Sequence, residues 1–323
     1  MLEVDLAIVG AGPTGLFAAY YAGFRGLSTA VIDALPEPGG QITAMYPEKV
    51  IYDVAGFPAI RGRELVANLV EQAAPYNPRY LLGVRAEQLS YGADGRPVLA
   101  LGDGESLTCG AVLITGGLGS FTARPLPAAE SFRGTGIVFF VKQLDALAGQ
   151  DVVIVGGGDS AFDWALALQP IAKSVTMIHR RDKFRAHAAT VARVQQLPVQ
   201  MIVNAEVSAI LGDGRVSACE VTVRGEPPRI VPADTVVAAL GFTADLGPLA
   251  DWGLTLNRRH IVVDSTTATN LPRVFAAGDI SEYPGKVRLI ATGFGEAATA
   301  VNNAAVAIDP SAHLFPGHSS DVG

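Results

Sequence analysis

Two glycine-rich hexapeptides carry the most chemistry in this sequence. The first is Gly10-Ala11-Gly12-Pro13-Thr14-Gly15 and the second is Gly156-Gly157-Gly158-Asp159-Ser160-Ala161. Each follows an apolar run with strand character, Val4-Asp5-Leu6-Ala7-Ile8-Val9 and Val152-Val153-Ile154-Val155, and each opens a helix-like segment. In that context Gly10 and Gly156 permit a tight strand-to-helix turn. Gly12 and Gly158 let the backbone approach a diphosphate, and the small Gly15 and Ala161 let helix and strand pack closely. The diphosphate would sit at the positive end of the helix dipole. One such pattern is compatible with an ordinary glycine turn, whereas two in strand-helix context point to two bound dinucleotides and to electrons passing between them.

The residues that follow each hexapeptide separate the two nucleotides. After the first, the strand Ser28-Thr29-Ala30-Val31-Ile32 ends in Asp33, where a carboxylate would receive the ribose hydroxyls of FAD or NAD. After the second, the strand Ser174-Val175-Thr176-Met177-Ile178 ends in His179-Arg180-Arg181, with Arg185 close behind and no acidic residue in the ribose position. Guanidinium groups there match the 2′-phosphate of NADP, which they can bind bidentately; the alternative is a solvated basic helix start. Asp159 reads as a capping group of its own helix rather than a ligand, and His179 as a strand-end packing residue or a nucleotide contact.

These turns need parallel sheets to hold them. At 323 residues the chain is sized for two domains, and its 49% hydrophobic and 17% charged residues suit parallel strands buried on both faces. The expected fold class is α/β, with two Rossmann-like dinucleotide-binding domains, the NADP domain inserted into the FAD domain. The first domain breaks off after Ala111-Val112-Leu113-Ile114-Thr115, where Gly116, Gly117, Gly119 and Pro125 mark a crossover. The second domain ends with the strand Thr235 to Leu240 and Gly241. The first then resumes with Val274-Phe275-Ala276-Ala277-Gly278-Asp279 and an alanine-rich closing helix from about Gly295 to Ile308. The expected divisions are therefore 1–117 and 242–323 for FAD, the latter including a C-terminal tail, and 118–241 for NADP.

A formal net charge of −7 argues against a general nucleic-acid binder. No apolar stretch reaches the roughly 18 residues of a spanning helix, and the first strand begins too early to leave room for a signal peptide. Cys109 and Cys219, the only cysteines, are far apart and in no metal-ligand spacing. No metal site is expected, and a cytoplasmic, disulfide-free protein is the natural reading.

Further stretches carry a resemblance. They are Gly39-Gly40-Gln41, then Tyr46-Pro47-Glu48-Lys49 and Ile51-Tyr52-Asp53-Val54-Ala55-Gly56-Phe57-Pro58, then His179 to His187, Gly293-Phe294-Gly295-Glu296-Ala297 and Ala276-Ala277-Gly278-Asp279. With the hexapeptides, they make the chain resemble the two-dinucleotide flavoprotein reductases of the thioredoxin reductase type. Within that group it is most similar to the thioredoxin-reductase-like ferredoxin/flavodoxin-NADP reductases. The resemblance implies that Gly10, Gly12, Thr14, Gly15, Asp33 and Gln41 contact FAD, that Tyr46 stacks on the flavin ring, and that Ala86 meets the adenine through its backbone. It also implies Phe121 near the flavin, Asp279 on the ribityl chain, and a C-terminal extension in which His318 covers the opposite ring face and Ser320 contacts the cofactor, commonly across a homodimer. NADP would be held by Gly156, Gly158, Ala161, Arg180, Arg181 and Arg185. Thr115-Gly116-Gly117 departs from the Ala-Thr-Gly or Thr-Ala-Gly run of many relatives.

Thioredoxin reductases carry a Cys-x-x-Cys just before the second hexapeptide, but Gly136-Ile137-Val138-Phe139-Phe140-Val141-Lys142-Gln143 contains no cysteine. Reducing equivalents would then leave from the flavin directly, because thiol exchange has no dithiol to use. The resemblance implies an NADPH-dependent flavoprotein that passes hydride to FAD and single electrons to ferredoxin or flavodoxin, with no protein acid or nucleophile required. Two alternatives stand beside it: a diaphorase-like disulfide or small-molecule reductase without an internal dithiol, and an NADPH-sensing flavin-binding regulatory protein.

Overall fold

The computed structural model describes residues 2–318. Contacts divide the chain into two compact units, one of Met1–Ala44, Val50–Ser120 and Ala244–Gly323, the other of Met45–Lys49 and Phe121–Thr243. The short Met45–Lys49 segment thus packs with the second unit, although the expected boundary ran unbroken to residue 117.

The first unit is built on a seven-stranded sheet. Its order is Arg79–Leu82, Thr29–Asp33, Leu2–Val9, Ser106–Ile114, Pro97–Leu101, Ala86–Tyr91, with Val274–Ala276 also on Ser106–Ile114. Strand period 2 decides which side each residue faces. Leu6 and Ile8 enter one core with Ala18, Ala19, Ala300 and Ala304, while Ala7 enters the other with Ile32, Leu249 and Trp252. The helices on the first side are α1 (Pro13–Phe24) and the last helix of the chain (Ile290–Ile308), and their alanines let the two approach closely. That last helix starts five residues before the expected Gly295, and Gly293 in its first turn packs on Thr14, where a Cβ would lie 2.4 Å from Oγ1. The sequence reading did not anticipate the antiparallel strands Ala86–Tyr91 and Pro97–Leu101.

The second unit has a five-stranded parallel sheet ordered Ile137–Val138, Thr235–Ala238, Asp151–Val155, Ser174–His179, Val199–Val203. Val152 and Ile154 pack on one side with Phe162, Ala165 and Leu168 of the helix Asp159–Leu168. Val153 and Val155 pack on the other against an antiparallel sheet of Ala205–Leu211, Ala218–Val223 and Arg229–Pro232. The crossover strands Ser120–Ala123 and Phe242–Asp245 pair with each other. Among the described residues no helix is long and apolar enough to cross a membrane.

Candidate functional site: two dinucleotide cradles

In the first unit the turn is shaped by the absence of side chains. Gly10 sits at φ +119°, and a Cβ there would lie 2.6 Å from the Thr115 carbonyl oxygen. A Cβ on Gly15 would lie 1.9 Å from the Gly10 oxygen, so only glycine lets α1 start this close to the strand. On Gly12 a Cβ would meet nothing within 4 Å, which leaves the space at the helix N-terminus open to a diphosphate. Thr115 closes the turn from below, its hydroxyl donating to the Gly10 carbonyl at 2.8 Å.

Asp33 ends its strand half-buried and accepts from the Ala11 N–H at 2.7 Å and the Leu35 N–H at 2.8 Å. Burial raises its carboxyl above the ordinary value, and these two backbone donors oppose the rise. Gly39 and Gly40 pass over the turn: the Gly39 N–H donates to the Ala11 carbonyl at 2.8 Å, and a Cβ on Gly40 would stand 3.1 Å from the Gly12 Cα. Gln41 begins the short helix Gln41–Met45, and its Nε2 would lie 3.0 Å from a Cβ on Gly117 at the crossover. Ala86 is buried at the start of its strand, two residues after Val84, whose N–H donates to the Asp33 carbonyl at 3.0 Å.

Thr14 meets the other end of the chain. A Cβ on Gly278 would lie 2.8 Å from its Oγ1 and one on Gly293 2.4 Å, so the turn carrying Asp279 closes on the start of α1. Asp279 is half-buried, and its carboxyl is raised by burial, against the nearby Lys286 and Arg288. The loop from Tyr52 to Pro58 lines an open cavity of about 580 Å³ together with Ala291. Gly10, Gly12, Thr14, Gly15, Asp33, Gln41, Ala86 and Asp279 therefore all belong to the first unit.

Tyr46 and Phe121 do not. Tyr46 lies in Met45–Lys49, half-buried against the core of the second unit. Phe121 stands edge-on to Phe140 at 6.4 Å and to Phe242 at 6.1 Å, forming an aromatic cluster at the crossover strands. His318 is exposed and edge-on to Phe315 at 5.1 Å, and Ser320 lies outside the described residues.

The second cradle is built differently. A Cβ on Gly158 would meet nothing within 4 Å, as at Gly12, whereas one on Gly157 would lie 2.5 Å from the His179 ring. His179 packs on Phe184 at 5.5 Å, and Phe184 on Phe162 at 4.9 Å. Burial holds His179 below its ordinary value, and the charges of Arg180, Arg181 and Arg185, all exposed, push the same way. The Arg185 N–H donates to the Gly157 carbonyl at 2.8 Å, which ties the basic loop to the glycine turn. Asp159 is the first residue of its helix rather than the N-cap, which is Gly158, and its carboxylate accepts from the His187 N–H at 2.9 Å, at the start of the helix Ala188–Gln195. The expected cap is thus corrected to a brace for the arginine loop.

These residues fit two nucleotides. Open space over two helix N-termini suits two diphosphates, a carboxylate at one strand end suits unmodified ribose, and clustered arginines at the other suit a 2′-phosphate. Both cysteines are buried, with thiols pushed up to about 12 for Cys109 and about 11 for Cys219. Two dinucleotide cradles on such units define an oxidoreductase that joins a flavin nucleotide to a pyridine nucleotide.

Comparison with known proteins places it further. Residues 4–304 match the family model for pyridine nucleotide-disulphide oxidoreductase. The chain is 77% identical over 321 residues to a ferredoxin–NADP reductase of Salinispora tropica, covering 99% of each chain. It is 64% identical to a ferredoxin–NADP reductase of Saccharopolyspora erythraea, covering 99% of this chain and 98% of that one. Among solved structures it superposes on a thioredoxin reductase of T. acidophilum with TM-score 0.75 and 29% identity, covering 96% of this chain and 99% of that one. The chain belongs to the pyridine nucleotide-disulphide oxidoreductase family and, within it, to the ferredoxin–NADP reductases. It is a flavoprotein oxidoreductase of FAD and NADP(H) with the two-domain fold of thioredoxin reductases.

Sequence reasoning found the turns, Asp33 and the arginines. It gave no role to Glu296, whose carboxylate pins the Asp279 turn; the available signal was one acidic residue on the buried, alanine-rich face of a helix.

Proposed function

We propose that this chain oxidises NADPH and delivers the electrons singly to an acidic one-electron carrier, ferredoxin or flavodoxin, without a thiol step. The observation that carries this reading is the pairing of two nucleotide cradles with cysteines that are both buried and separated on two units. A bound flavin supplies the chemistry of accepting a hydride and releasing its electrons one at a time.

The chain's own residues bind and orient. Gly156, Gly158 and Ala161 admit the NADP diphosphate, and Arg180, Arg181 and Arg185 read the 2′-phosphate. Gly10, Gly12, Thr14 and Gly15 receive the FAD diphosphate, Asp33 its adenosine ribose, with Ala86 beside the adenine. Gln41, Phe121 and Asp279 face the flavin half, and Tyr46 with His318 stack on the ring. Residues 1–117 and 242–323 act as the FAD domain and 118–241 as the NADP domain.

We also propose a cytoplasmic homodimer whose tail covers the flavin of a second copy. Arg25, at the C-terminal end of α1, donates to the carbonyls of His313 and Leu314 and to Asn302 Oδ1. These bonds tie the chain just ahead of His318 to the end of α1 opposite the first glycine turn, which supports a tail directed to a neighbouring subunit.

The test is NADPH-dependent cytochrome c reduction with and without added ferredoxin or flavodoxin. Strong stimulation by either carrier is expected, and a Cys109→Ala/Cys219→Ala variant should keep it. Absence of stimulation by both carriers would overturn the proposal.

A further inference from the structure

Lys286 and Glu296 form an ion pair with side chains only 2% and 7% exposed, which is an expensive arrangement unless both groups are fully bonded. They are. Glu296 Oε2 accepts from the Gly278 N–H at 2.7 Å and shares the Ser281 hydroxyl, at 3.2 Å, with the Gly278 carbonyl at 2.9 Å. Oε1 accepts from the Tyr283 hydroxyl at 2.6 Å and from Lys286, whose ammonium also reaches Ser281 Oγ at 3.1 Å and lies 5.4 Å from the Tyr283 ring centroid. One carboxylate thus gathers four donors from a nine-residue stretch of chain, 278 to 286.

That stretch contains Asp279. Gly278, one residue before Asp279 in the turn Gly278–Ile280, sits at φ +79°, which glycine adopts without strain, and its N–H is fixed by the bond to Glu296. Glu296 stands on the same helix as Gly293, which abuts Thr14 of the first glycine turn. The helix therefore registers the diphosphate end of the cradle and the Asp279 turn against each other.

We infer that Glu296, charge-balanced by Lys286, is a positioning residue for the flavin nucleotide, fixing the turn that presents Asp279. This rests on the proposal that Asp279 receives FAD. The two charges have opposite effects at Asp279: Lys286 lowers its carboxyl and Glu296 raises it, so removing either partner changes the field at that carboxylate while removing both changes it less.

The experiment follows FAD release from the holoprotein on dilution, read as the rise in flavin fluorescence well below the unfolding temperature, together with the visible flavin spectrum at saturating FAD. Asp279→Asn and Glu296→Gln should each weaken FAD retention roughly tenfold or more, the scale of a hydrogen bond to a charged acceptor. Lys286→Met should do likewise. The double variant Glu296→Gln/Lys286→Met should recover most of the loss, and Glu296→Gln should add little to Asp279→Asn. Tyr283→Phe, which removes one donor and no charge, should give a few-fold loss and keeps the measurement possible if Glu296→Gln fails to fold. Wild-type retention and an unchanged spectrum in Glu296→Gln, or Tyr283→Phe, beside a weakened Asp279→Asn would overturn the positioning role alone. So would an absence of recovery in the double variant, or full additivity with Asp279→Asn. If Asp279→Asn itself retains FAD as the wild type does, the ribityl reading falls and the inference with it.

Discussion

The two glycine turns share a framework yet are anchored by different chemistry. At the first, the strand-end residue anchors through its side chain: the Asp33 carboxylate bonds back to Ala11 inside the turn. At the second, the anchor is main chain, from the Arg185 N–H to the Gly157 carbonyl, so the arginine side chains are not committed to holding the turn. The third small position differs as well, Gly15 in one and Ala161 in the other. On the proposed assignment, the first cradle would use one carboxylate both for structure and for the ribose hydroxyls, and the second would leave its arginine charges outside, with the end of their loop held by Asp159 through the His187 N–H.

The largest effect should come from equalising the third position. Gly15→Ala would put a Cβ 1.9 Å from the Gly10 oxygen, and overpacking against backbone costs about 3 kcal/mol or more. A fall of several degrees in Tm with loss of FAD is expected in Gly15→Ala, whereas Ala161→Gly should cost only about 1 kcal/mol, the helix penalty of glycine. Thermal unfolding followed by flavin fluorescence measures both. Similar losses in the two variants would show that the turns are not differently packed.

The second positions should behave alike, which sharpens the contrast. A Cβ on Gly12 or Gly158 meets nothing within 4 Å, so Gly12→Ala and Gly158→Ala should leave fold stability within about 0.5 kcal/mol. The space that the methyl takes is the space a diphosphate needs. Gly12→Ala is expected to lose FAD on gel filtration while retaining its far-UV circular dichroism, and Gly158→Ala to raise the KM for NADPH about tenfold with little change in kcat.

Much of this was legible before any coordinates. The turns, their strands, Asp33 and the arginines announce themselves because local rules write them: a φ that favours glycine, a two-residue strand period, a charge at a strand end. What stayed hidden depends on residues distant in sequence. Asp159 looks like a helix cap until His187, 28 residues on, is seen to donate to it. The last helix begins at Ile290 rather than about Gly295, and the reason for a glycine at 293 within its first turn appears only when Thr14 is found against it. The antiparallel sheet of Ala205–Leu211, Ala218–Val223 and Arg229–Pro232 carries ordinary alternation, but nothing local says that it covers Val153 and Val155.

The arginine loop tests the recognition half of the comparison. Replacing Arg180 and Arg181 together by alanine removes two exposed guanidiniums near His179. Because solvent screens exposed charges, about tenfold to hundredfold is expected in the KM for NADPH rather than the full value of a buried pair. The KM for NADH should move little. Steady-state kinetics with both coenzymes separates the readings, and equal losses for the two would return the loop to a solvated helix start.

The smallest effect should be a difference in the sign of a pH slope. Burial raises the Asp33 carboxyl above its ordinary 3.8, so its contribution to the stability of the FAD-free protein is present below that value and is lost as pH rises through the folded-state value. Asp151, at the first position of the strand Asp151–Val155, is lowered by bonds from Lys173 and Ser174. Its contribution is present above 3.8 and is lost as pH falls through the folded-state value. Urea midpoints between pH 3 and 7 should therefore lose their alkaline-side decline in Asp33→Asn and part of their acid-side decline in Asp151→Asn, the latter weakly because its partner Lys173 is 67% exposed. FAD binding should run against the first slope. Ribose hydroxyls donate to the ionised carboxylate, so FAD affinity in the wild type should rise as Asp33 deprotonates, while in Asp33→Asn it should be lower and flat across the same range. A wild-type affinity that is itself flat would mean that Asp33 is anchoring the turn without reading the nucleotide, and the division of labour drawn between the two cradles would dissolve.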